Sequence, residues 1–404
     1  MCPKQTTKEI FNNIMHYEKP ERMFIWHWTW GAFGGNEYDT PGTQFWGKTI
    51  KRWWEEGLPK EKNTVESVNN YFNVDNRLSI NLKTLIWPQF PEKIIEEKDG
   101  YTTGYDISGI LRKRKIGEDF ETSLPQYIKY PIDSRDSWKR FAKERLNFDV
   151  KGRDAFEIKY NGTIMMESYP GADNFQEAKN LINNSDSVVE VLLGSVFGIL
   201  RNWMGLEKIS FALYEDILWV EEMMNHLTDL LLSVLERVIE PLNIKIDHAQ
   251  WWEDMCYNNG SLISPKHVKQ LMLPNYKRVN EYLNNKGTDI ISVDSDGFID
   301  ELIPLWLEAG INTMNPNEVA SGMDVVKMRK KYGRNLRMIG GIDKRVLAEG
   351  KEAIDKELDY KIPLIAEGGY IPAVDHSVPY DISFDNYMYY HNSLIEKTKE
   401  YICT

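Results

Sequence analysis

Asp294 and Asp296 stand two residues apart at the end of an apolar run, in the stretch TDIISVDSDG (288–297). Alternate residues of a strand point to the same face, so both carboxylates are expected on one face. Two carboxylates this close repel each other unless a cation, a proton or a hydrogen-bond donor joins them. The spacing therefore indicates either ligands for a metal ion or a proton-transfer pair, although a solvated loop could show it too.

Polar residues also stand at the ends of neighbouring apolar runs. They are Asp247, His248, Glu253 and Asp254, then Asn315, Asn317 and Glu318, then Asp343, and finally Asp375 and His376. Within this set, Asp294, Asp296, Glu318 and His376 combine carboxylate oxygens with one imidazole nitrogen, which suits zinc, manganese or iron. The same four side chains could instead transfer protons.

Three of the acids have a structural interpretation that fits the sequence as well. Asp343 opens a helical stretch, where its carboxylate would cap the helix. Asp247 and Asp254 would be solvated acids at the ends of a strand. The sequence leaves these alternatives open.

The elements that must position these residues alternate along the chain. From residue 187 onward, short apolar runs and helical stretches follow one another, and two earlier strands are predicted near 79–85 and 187–193. Alternating strands and helices with short loops predict a parallel sheet. We predict the α/β class and a (β/α)8 TIM barrel, in which active-site groups lie at the carboxyl ends of the strands. The motifs GxGxxG after a strand and GxxxxGK[ST] are absent, which argues against a dinucleotide-binding fold or a P-loop.

The first part of the chain has a different pattern. Residues 1–75 are predicted to form a helical, aromatic-rich extension that leads into the barrel, and residues 76–404 form the barrel with a β-rich insert around 90–170. Within the insert, 102–117 and 155–170 alternate like antiparallel hairpins. The insert would either cover the pocket or make a contact in a homodimer.

Composition limits the class of protein. The chain has 404 residues and a formal charge of -12, from 61 acidic and 49 basic residues, without a polybasic block. This argues against binding to nucleic acid or to an anionic membrane. Three cysteines (Cys2, Cys256 and Cys403) lie far apart, and no run of 18 apolar residues occurs. We expect a cytoplasmic protein without a disulfide scaffold.

Aromatic residues cluster in FIWHWTWGAF (24–33) and DHAQWWEDMCY (247–257). The clusters bring together Trp26, Trp28, Trp30, Trp251 and Trp252. They either pack the core or form the wall of a pocket for a flat ligand.

Several motifs give the chain a resemblance to a known family. They are WWEDMCYNNGSLISPKHVKQLMLPNYKRV (251–279), GGID (340–343) and AVDHSVPYDISFDN (373–386), with RMFIWHWTW and RWWEEGLP nearer the start. From residue 187 to the end, the chain resembles the uroporphyrinogen decarboxylase superfamily, whose members are (β/α)8 barrels. His376 matches a histidine of that family.

Within this superfamily, the chain resembles the corrinoid-dependent methyltransferases more than the true decarboxylases. The decarboxylases hold substrate carboxylates with an arginine-rich segment, but this chain has no arginine between Arg22 and Lys48. They also place an aspartate at the end of the first strand, where this chain offers Asn81. The methyltransferases bind zinc with His-x-Cys, an acid and a late cysteine.

Aligned with that zinc site, this chain has Asp294-x-Asp296 in place of His-x-Cys and His376 in place of the late cysteine. The acid falls near Asn317 or Glu318. A site without sulfur ligands would make zinc harder and suit it to activate an oxygen atom.

The resemblance therefore implies an O-demethylase type of methyltransferase. It would move a methyl group from a methoxylated, aromatic donor to cobalamin on a separate corrinoid protein, with zinc assistance. The metal ligands would be Asp294, Asp296, Glu318 and His376, and the catalytic residues His376, Asp296 and Glu253. The substrate contacts would be His27, Trp26, Trp28, Trp251, Asp247, Asn315, Asn317 and Asp343.

Two other classes remain open. One is a metal-independent decarboxylase or lyase that acts on a different acid, with His376 and Asp296 as acid and base. The other is a protein that binds a tetrapyrrole or corrinoid without catalysis.

Overall fold

A computed structural model gives the arrangement of most of the chain. It describes residues 4–28, 45, 47–116, 125–168 and 174–402. Trp30, Cys2 and Cys403, which the sequence interpretation used, lie outside the described residues.

The strands and helices alternate through the second half of the chain, as predicted. The strands are β1 (Arg77–Leu82), β2 (Lys93–Lys98), β3 (Tyr101–Tyr105), β4 (Leu111–Lys115), β5 (Gln126–Lys129), β6 (Phe156–Tyr160), β7 (Thr163–Glu167), β8 (Val188–Gly194), β9 (His248–Trp252), β10 (Cys256–Tyr257), β11 (Gly260–Ser261), β12 (Ile291–Asp294), β13 (Thr313–Asn315), β14 (Arg337–Ile342) and β15 (Tyr370–Val374). The α-helices are α1 (Thr7–Met15), α2 (Gly47–Glu56), α3 (Val65–Tyr71), α4 (Arg135–Arg145), α5 (Phe175–Asn183), α6 (Gly198–Met204), α7 (Leu206–Glu215), α8 (Ile217–Leu242), α9 (Pro265–His267), α10 (Leu273–Asn285), α11 (Ile303–Glu308), α12 (Val325–Tyr332), α13 (Lys344–Glu349), α14 (Lys351–Lys361) and α15 (Phe384–Ile402). Short 3₁₀ or π segments connect some of them at Val268–Met272, Val319–Ser321, Gly333–Asn335 and Ile362–Glu367.

A large parallel sheet forms the centre of the molecule. Within the described ranges its strands run in the order β15-β14-β13-β12-β9-β8-β1-β6-β7. The strands from β15 to β1 pair in parallel, and β6 pairs antiparallel to β1. Strands such as β8 and β15 are buried along nearly their whole length, as expected when helices cover a parallel sheet. The predicted α/β class is confirmed, and β1 and β8 are the two early strands that the sequence predicted.

The extended segment 23–28 connects the two ends of the parallel series. The N–H of Asp75, just before β1, donates to the carbonyl of Ile25 at 3.0 Å. The indole Nε1 of Trp28 donates to the carbonyl of Val374, at the end of β15, at 2.9 Å. The segment therefore contacts the chain just before β1 at one end and the carboxyl end of β15 at the other.

Helix α1 lies across the amino ends of the strands. Thr6 and Glu9 form a capping box at its start. Its apolar face is buried, and the carbonyl of Ile14 accepts a hydrogen bond from the N–H of Gly369 at 2.6 Å, just before β15. The ring of Phe11 lies 5.8 Å from that of His248 on β9. The start of the chain thus belongs to the same hydrophobic core as the sheet.

The insert between β1 and β8 has two parts. Strands β2 to β5 form a separate antiparallel sheet, whereas β6 and β7 form a hairpin that extends the main sheet beside β1. The two predicted hairpins are confirmed as β3–β4 and β6–β7. The sequence did not show that the second hairpin joins the main sheet.

The guanidinium of Arg153 ties the insert to the end of β1. It is 1% exposed and donates to the carbonyls of Lys83, Leu85, Trp87, Arg145 and Asn147. Burial lowers its pKa to about 10. None of the helices in the described ranges combines the length and apolar character needed to cross a membrane.

Candidate active site at the carboxyl ends of the strands

The ends of β9, β12 and β13 bring three side chains to one face of the sheet. Trp252, Asp294 and Asn315 are register partners on these adjacent strands. Trp251 points to the other face, where its ring lies 5.0 Å from that of Tyr276 on α10. Side chains alternate along a strand, so the face away from α10 carries Trp252, Asp294 and Asn315. We call this inner rim at the carboxyl ends the mouth.

Asp296 and His376 form an ion pair at the mouth. Nε2 of His376 lies 3.4 Å from Oδ2 of Asp296, and the two side chains are 21% and 38% exposed. Burial alone would raise the pKa of Asp296. The hydrogen bond and charge of His376, together with the charges of Lys344 and Arg201, hold this pKa below its usual value. Asp296 therefore stays ionised to a lower pH than an ordinary aspartate, and the His376 ring is its partner at 3.4 Å.

Asp294 has the opposite electrostatic environment. Burial, followed by the negative charges of Asp296 and Asp254, raises the pKa of Asp294 well above its usual value. Its carboxyl group therefore keeps a proton to a higher pH than an ordinary aspartate. The pKa values of two aspartates separated by one residue are thus shifted in opposite directions, as in acid–base sites that use paired carboxyl groups.

Asp254 is the third carboxyl group of the mouth. Burial and the charge of Asp296 raise its pKa to about 6, against the opposing charge of Arg201. Nη2 of Arg201 lies 3.9 Å from Oδ2 of Asp254, and the guanidinium also donates to the Asp254 carbonyl. Asp254 has a φ of 41°, which turns the chain sharply after β9. The sequence could not distinguish this environment from that of a solvated acid.

Glu318 joins two loops of the mouth. Its Oε2 accepts hydrogen bonds from the N–H of Gly297 at 3.0 Å and from the hydroxyl of Ser321 at 2.8 Å. In the described part of the chain, no three His, Cys, Asp or Glu side chains form a group that could hold a metal ion. As placed, Asp294, Asp296, Glu318 and His376 therefore do not fit the four-ligand zinc site that the resemblance implied.

Glu253 follows β9 but does not line the mouth. Its carboxylate is 0% exposed and accepts hydrogen bonds from the Ser195 hydroxyl and from the N–H groups of Val196, Phe197 and Gly198, at 2.8–3.0 Å. Burial raises its pKa, although these N–H groups act in the other direction. In the structure, Glu253 holds the loop that precedes α6, and its predicted catalytic role stays a prediction.

Asp247 lies at the wrong end of its strand for a substrate contact. It precedes β9, where Oδ2 accepts a hydrogen bond from the N–H of Val189 at 2.9 Å and lies 3.2 Å from Nζ of Lys8. The carboxylate is buried among the amino ends of the strands. Its predicted role in substrate binding is thus corrected to a structural one.

Two further predicted contacts have structural partners. Asp343 caps α13, where its carboxylate accepts from the N–H and the guanidinium of Arg345. Burial would raise the pKa of Asp343, but this hydrogen bonding lowers it. Nδ2 of Asn317 donates to the carbonyls of Met314 and Ile339 and so joins β13 to β14. The cap is the structural interpretation that the sequence had left open.

The aromatic residues are buried in the core. Trp26 is 3% exposed, and its ring faces the guanidinium of Arg77 at 3.9 Å from the ring centroid. Trp28 is 9% exposed. Trp251 is 1% exposed and donates to Oδ1 of Asn280 on α10, outside the sheet. These three tryptophans therefore pack the core, which is one of the two interpretations that the sequence left open, and their substrate contacts stay a prediction.

His27 is also buried, in an aromatic cluster. Its Nε2 lies 3.2 Å from the hydroxyl of Tyr387, and its ring packs near Phe45, Phe72 and His391. Burial, together with the charges of His391 and Arg77, lowers its pKa well below the usual value. A neutral histidine within the core replaces the predicted substrate contact.

A buried polar group lies below the mouth, and the sequence did not reveal it. Glu190 on β8 lies 3.4 Å from Arg77 and 3.5 Å from His248, whose other ring nitrogen lies 2.8 Å from the Ser292 hydroxyl. Burial alone would raise the pKa of Glu190, but Arg77 and His248 lower it to about 2. Isolated acids and bases on separate strands give no local signal that they will meet.

Arg201, Lys344 and Asp375 are further residues of the mouth. The carboxylate of Asp375 accepts hydrogen bonds from the N–H groups of Val319 and Lys344, at 2.8 and 3.1 Å. It thereby links the loop after β13 to the start of α13. Asp375 had a signal in the sequence, because it adjoins His376 at a strand end. Arg201 lies within a helix and had none.

Comparison with known proteins gives one family. A family model described as uroporphyrinogen decarboxylase (URO-D) matches residues 185–396. A solved methyltransferase from Methanosarcina mazei is 12% identical, covers 98% of this chain and 99% of its own, and has a TM-score of 0.52. A B12-independent methionine synthase from Shewanella sp. W3-18-1 is also 12% identical, covers 63% of this chain and 73% of its own, and has a TM-score of 0.36. No curated protein sequence matches the chain. At such identity, the likeness to the first structure shows the fold alone.

Proposed function

Since the chain belongs to the uroporphyrinogen decarboxylase family, we propose that it is a methyltransferase. It moves a methyl group from a methoxylated aromatic donor to the cobalamin of a separate corrinoid protein. One observation carries this proposal: at the mouth His376 lies 3.4 Å from Asp296, next to the Asp294 carboxyl group, whose pKa burial raises well above its usual value. These side chains can donate a proton to the oxygen atom of the leaving group.

The protons have a defined role in the reaction. The C–O bond of the methoxy group breaks while the electron pair of the methyl acceptor forms a new bond to the methyl carbon. The electrons of the broken bond stay on the oxygen, which takes up a proton and leaves as a neutral hydroxyl group. His376 is the proton donor, Asp296 stabilises its cationic form, and Asp294 supports the same oxygen with its O–H group.

The mouth holds charges of both signs. Asp296 is ionised there, and the positive charges of Lys344 and Arg201 act on it. The charge of the mouth therefore does not discriminate between a neutral methoxylated donor and a substrate that carries a carboxylate.

Zinc has no step in this mechanism. In the described part of the chain, the four predicted ligands do not form a metal-binding group as placed. The carboxylate of Glu318 already accepts hydrogen bonds from Gly297 and Ser321. In the proposed mechanism the proton donors of the mouth activate the leaving oxygen. Metal analysis of the purified protein tests the remaining zinc prediction, which a near-stoichiometric content would support.

The alternative is a decarboxylase or lyase that acts on a small acid. The His376–Asp296 pair favours it, because the same two residues would serve as acid and base. Release of carbon dioxide from an acid, without methyl transfer, would identify this activity. A protein that merely binds a corrinoid would show no turnover in either assay.

A methyl-transfer assay tests the proposal. Purified protein is mixed with reduced cobalamin and a panel of methoxylated arenes, methylamines and thioethers, and the absorption spectrum of methylcobalamin is followed. We expect product with methoxylated arenes. Failure with every donor of the panel would contradict the proposed function.

A further inference from the structure

Asn315 is a buried residue with an unused side chain. It is 0% exposed at the end of β13, and neither its Oδ1 nor its Nδ2 has a hydrogen-bond partner in the described part of the chain. Other buried asparagines differ in this respect. Nδ2 of Asn317 donates to two carbonyls, and Nδ2 of Asn275 donates to the carbonyl of Leu271 at 2.8 Å.

The position of Asn315 explains where its amide points. Asn315 is the register partner of Asp294, so the two residues lie on adjacent strands, about 4.8 Å apart, with their side chains on the same face. Met314 points to the opposite face, where it is buried against the helices. The side chain of Asn315 therefore lies on the same face of the sheet as the Asp294 side chain, buried at the base of the mouth.

An unpaired amide in such a place destabilises the folded protein, because it loses its hydrogen bonds to water and gains none from the protein. Buried polar side chains are therefore nearly always paired. A leucine of similar size would avoid this cost. The amide is consistent with a group that a ligand pairs on binding.

We propose that Asn315 determines ligand specificity by binding a neutral group that carries a hydrogen-bond donor and an acceptor side by side, next to Asp294. The amide offers one carbonyl acceptor and one NH₂ donor in the same plane. A carboxylate, or an ether oxygen alone, accepts a hydrogen bond from the NH₂ group of Asn315 but offers no donor to its amide carbonyl. A hydroxyl group next to an ether oxygen satisfies both, and so does a carboxamide.

For the reaction, this inference rests on the proposed methyl transfer. It then specifies a donor with a hydroxyl group adjacent to the methoxy group. The hydroxyl donates to Oδ1 of Asn315, and Nδ2 donates back to the same edge of the ligand. The ether oxygen is left beside Asp294 and His376, where it must receive its proton.

Binding measured without a methyl acceptor tests the inference. Isothermal titration calorimetry would compare 2-methoxyphenol and benzamide, which carry both groups, with methoxybenzene and benzoate, which do not. We expect at least one of the first two to bind about tenfold or more tightly than either of the second two. Binding of 2-methoxyphenol would identify a hydroxyl group next to an ether oxygen as the recognised group. Binding of benzamide would identify a carboxamide. Asn315→Leu should reduce this preference to about twofold or less.

Asn275→Leu is the matched control, because it removes an equally buried amide that has a partner. It should leave the binding preference unchanged. The midpoints of thermal unfolding provide a second measurement: Asn315→Leu should raise the midpoint, and Asn275→Leu should lower it.

Equal binding of all four probes, binding of none of them, or a lower midpoint for Asn315→Leu would overturn the inference. Preferential binding without any methyl transfer would reject the proposed function but retain this assignment. Methyl transfer without the binding preference would support the proposed function but reject the assignment of Asn315.

Discussion

At the scale of single residues, the mouth shows how environment separates side chains of one type. One residue separates Asp294 from Asp296, yet the contact with His376 lowers the pKa of Asp296 and burial raises the pKa of Asp294. The sequence could predict that these residues lie at a strand end. It could not predict that Asp247 lies at the amino end of its strand. Nor could it predict that the Glu253 carboxylate accepts hydrogen bonds from the loop before α6. Both depend on contacts with residues more than 50 positions away.

Asp254 gives a prediction for the dependence of stability on pH. Its pKa of about 6 in the folded protein exceeds that of an unfolded aspartate, near 3.8. The proton therefore stabilises the folded state fully below about pH 4, and this contribution is lost as the pH rises towards 6. Asn at this position cannot lose a proton, so Asp254→Asn should abolish the fall in stability between about pH 4 and 6. The variant should therefore have a free energy of unfolding higher by about 1–3 kcal/mol at pH 7.5.

Chemical denaturation of the protein and the variant at several pH values measures this effect. Asp381→Asn, at an exposed acid, serves as the control and should change nothing. Identical pH profiles for Asp254→Asn and the unmodified protein would show that Asp254 is not buried in the way described.

At the scale of elements, the strands and helices were largely predictable, because apolar runs and helical stretches alternate. Ser264 caps the start of α9, and Pro265 stands at its first position. The loops were less predictable than these elements. The turn between β8 and α6 is held by Glu253, which lies 55–58 residues away in the sequence.

Glu253→Ala tests the structural role of this residue. The change leaves the N–H groups of Val196, Phe197 and Gly198 without their acceptor, and we expect the free energy of unfolding to fall by about 2–5 kcal/mol. Asp343→Ala, which removes one helix cap, is the comparison and should cost about 1 kcal/mol. Urea denaturation measures both variants. Normal stability of Glu253→Ala with lost turnover would instead support the catalytic role that the sequence predicted.

At the scale of the whole molecule, the series of parallel strands followed from the sequence, but its two ends did not. The segment 23–28 contacts both the chain before β1 and the end of β15, and the β6–β7 hairpin extends the sheet beside β1. Neither arrangement has a local signal, since each depends on pairing between distant parts of the chain. For the aromatic residues of the segment 23–28, the sequence left open core packing or a pocket wall, and the structure buries Trp26, His27 and Trp28 in the core.

Arg153 is the residue on which attachment of the insert most depends. Arg153→Met keeps the length of the side chain but leaves five carbonyl groups without their donor. We expect a loss of about 3–5 kcal/mol in the free energy of unfolding. Amide hydrogen exchange should become faster in residues 83–87 and 145–153. Exposed Arg140→Met is the control, and unchanged exchange in Arg153→Met would contradict this role.

The central claim is that the mouth transfers a methyl group and that His376 supplies the proton to the leaving oxygen. The most direct measurement is a single-turnover reaction with reduced cobalamin and 2-methoxyphenol, comparing the unmodified protein with His376→Ala. We predict methylcobalamin from the unmodified protein and a rate reduced by a factor of about 10² or more in the variant, with its fold preserved by circular dichroism. Equal rates for the two proteins, or no methylcobalamin from either one, would contradict the claim.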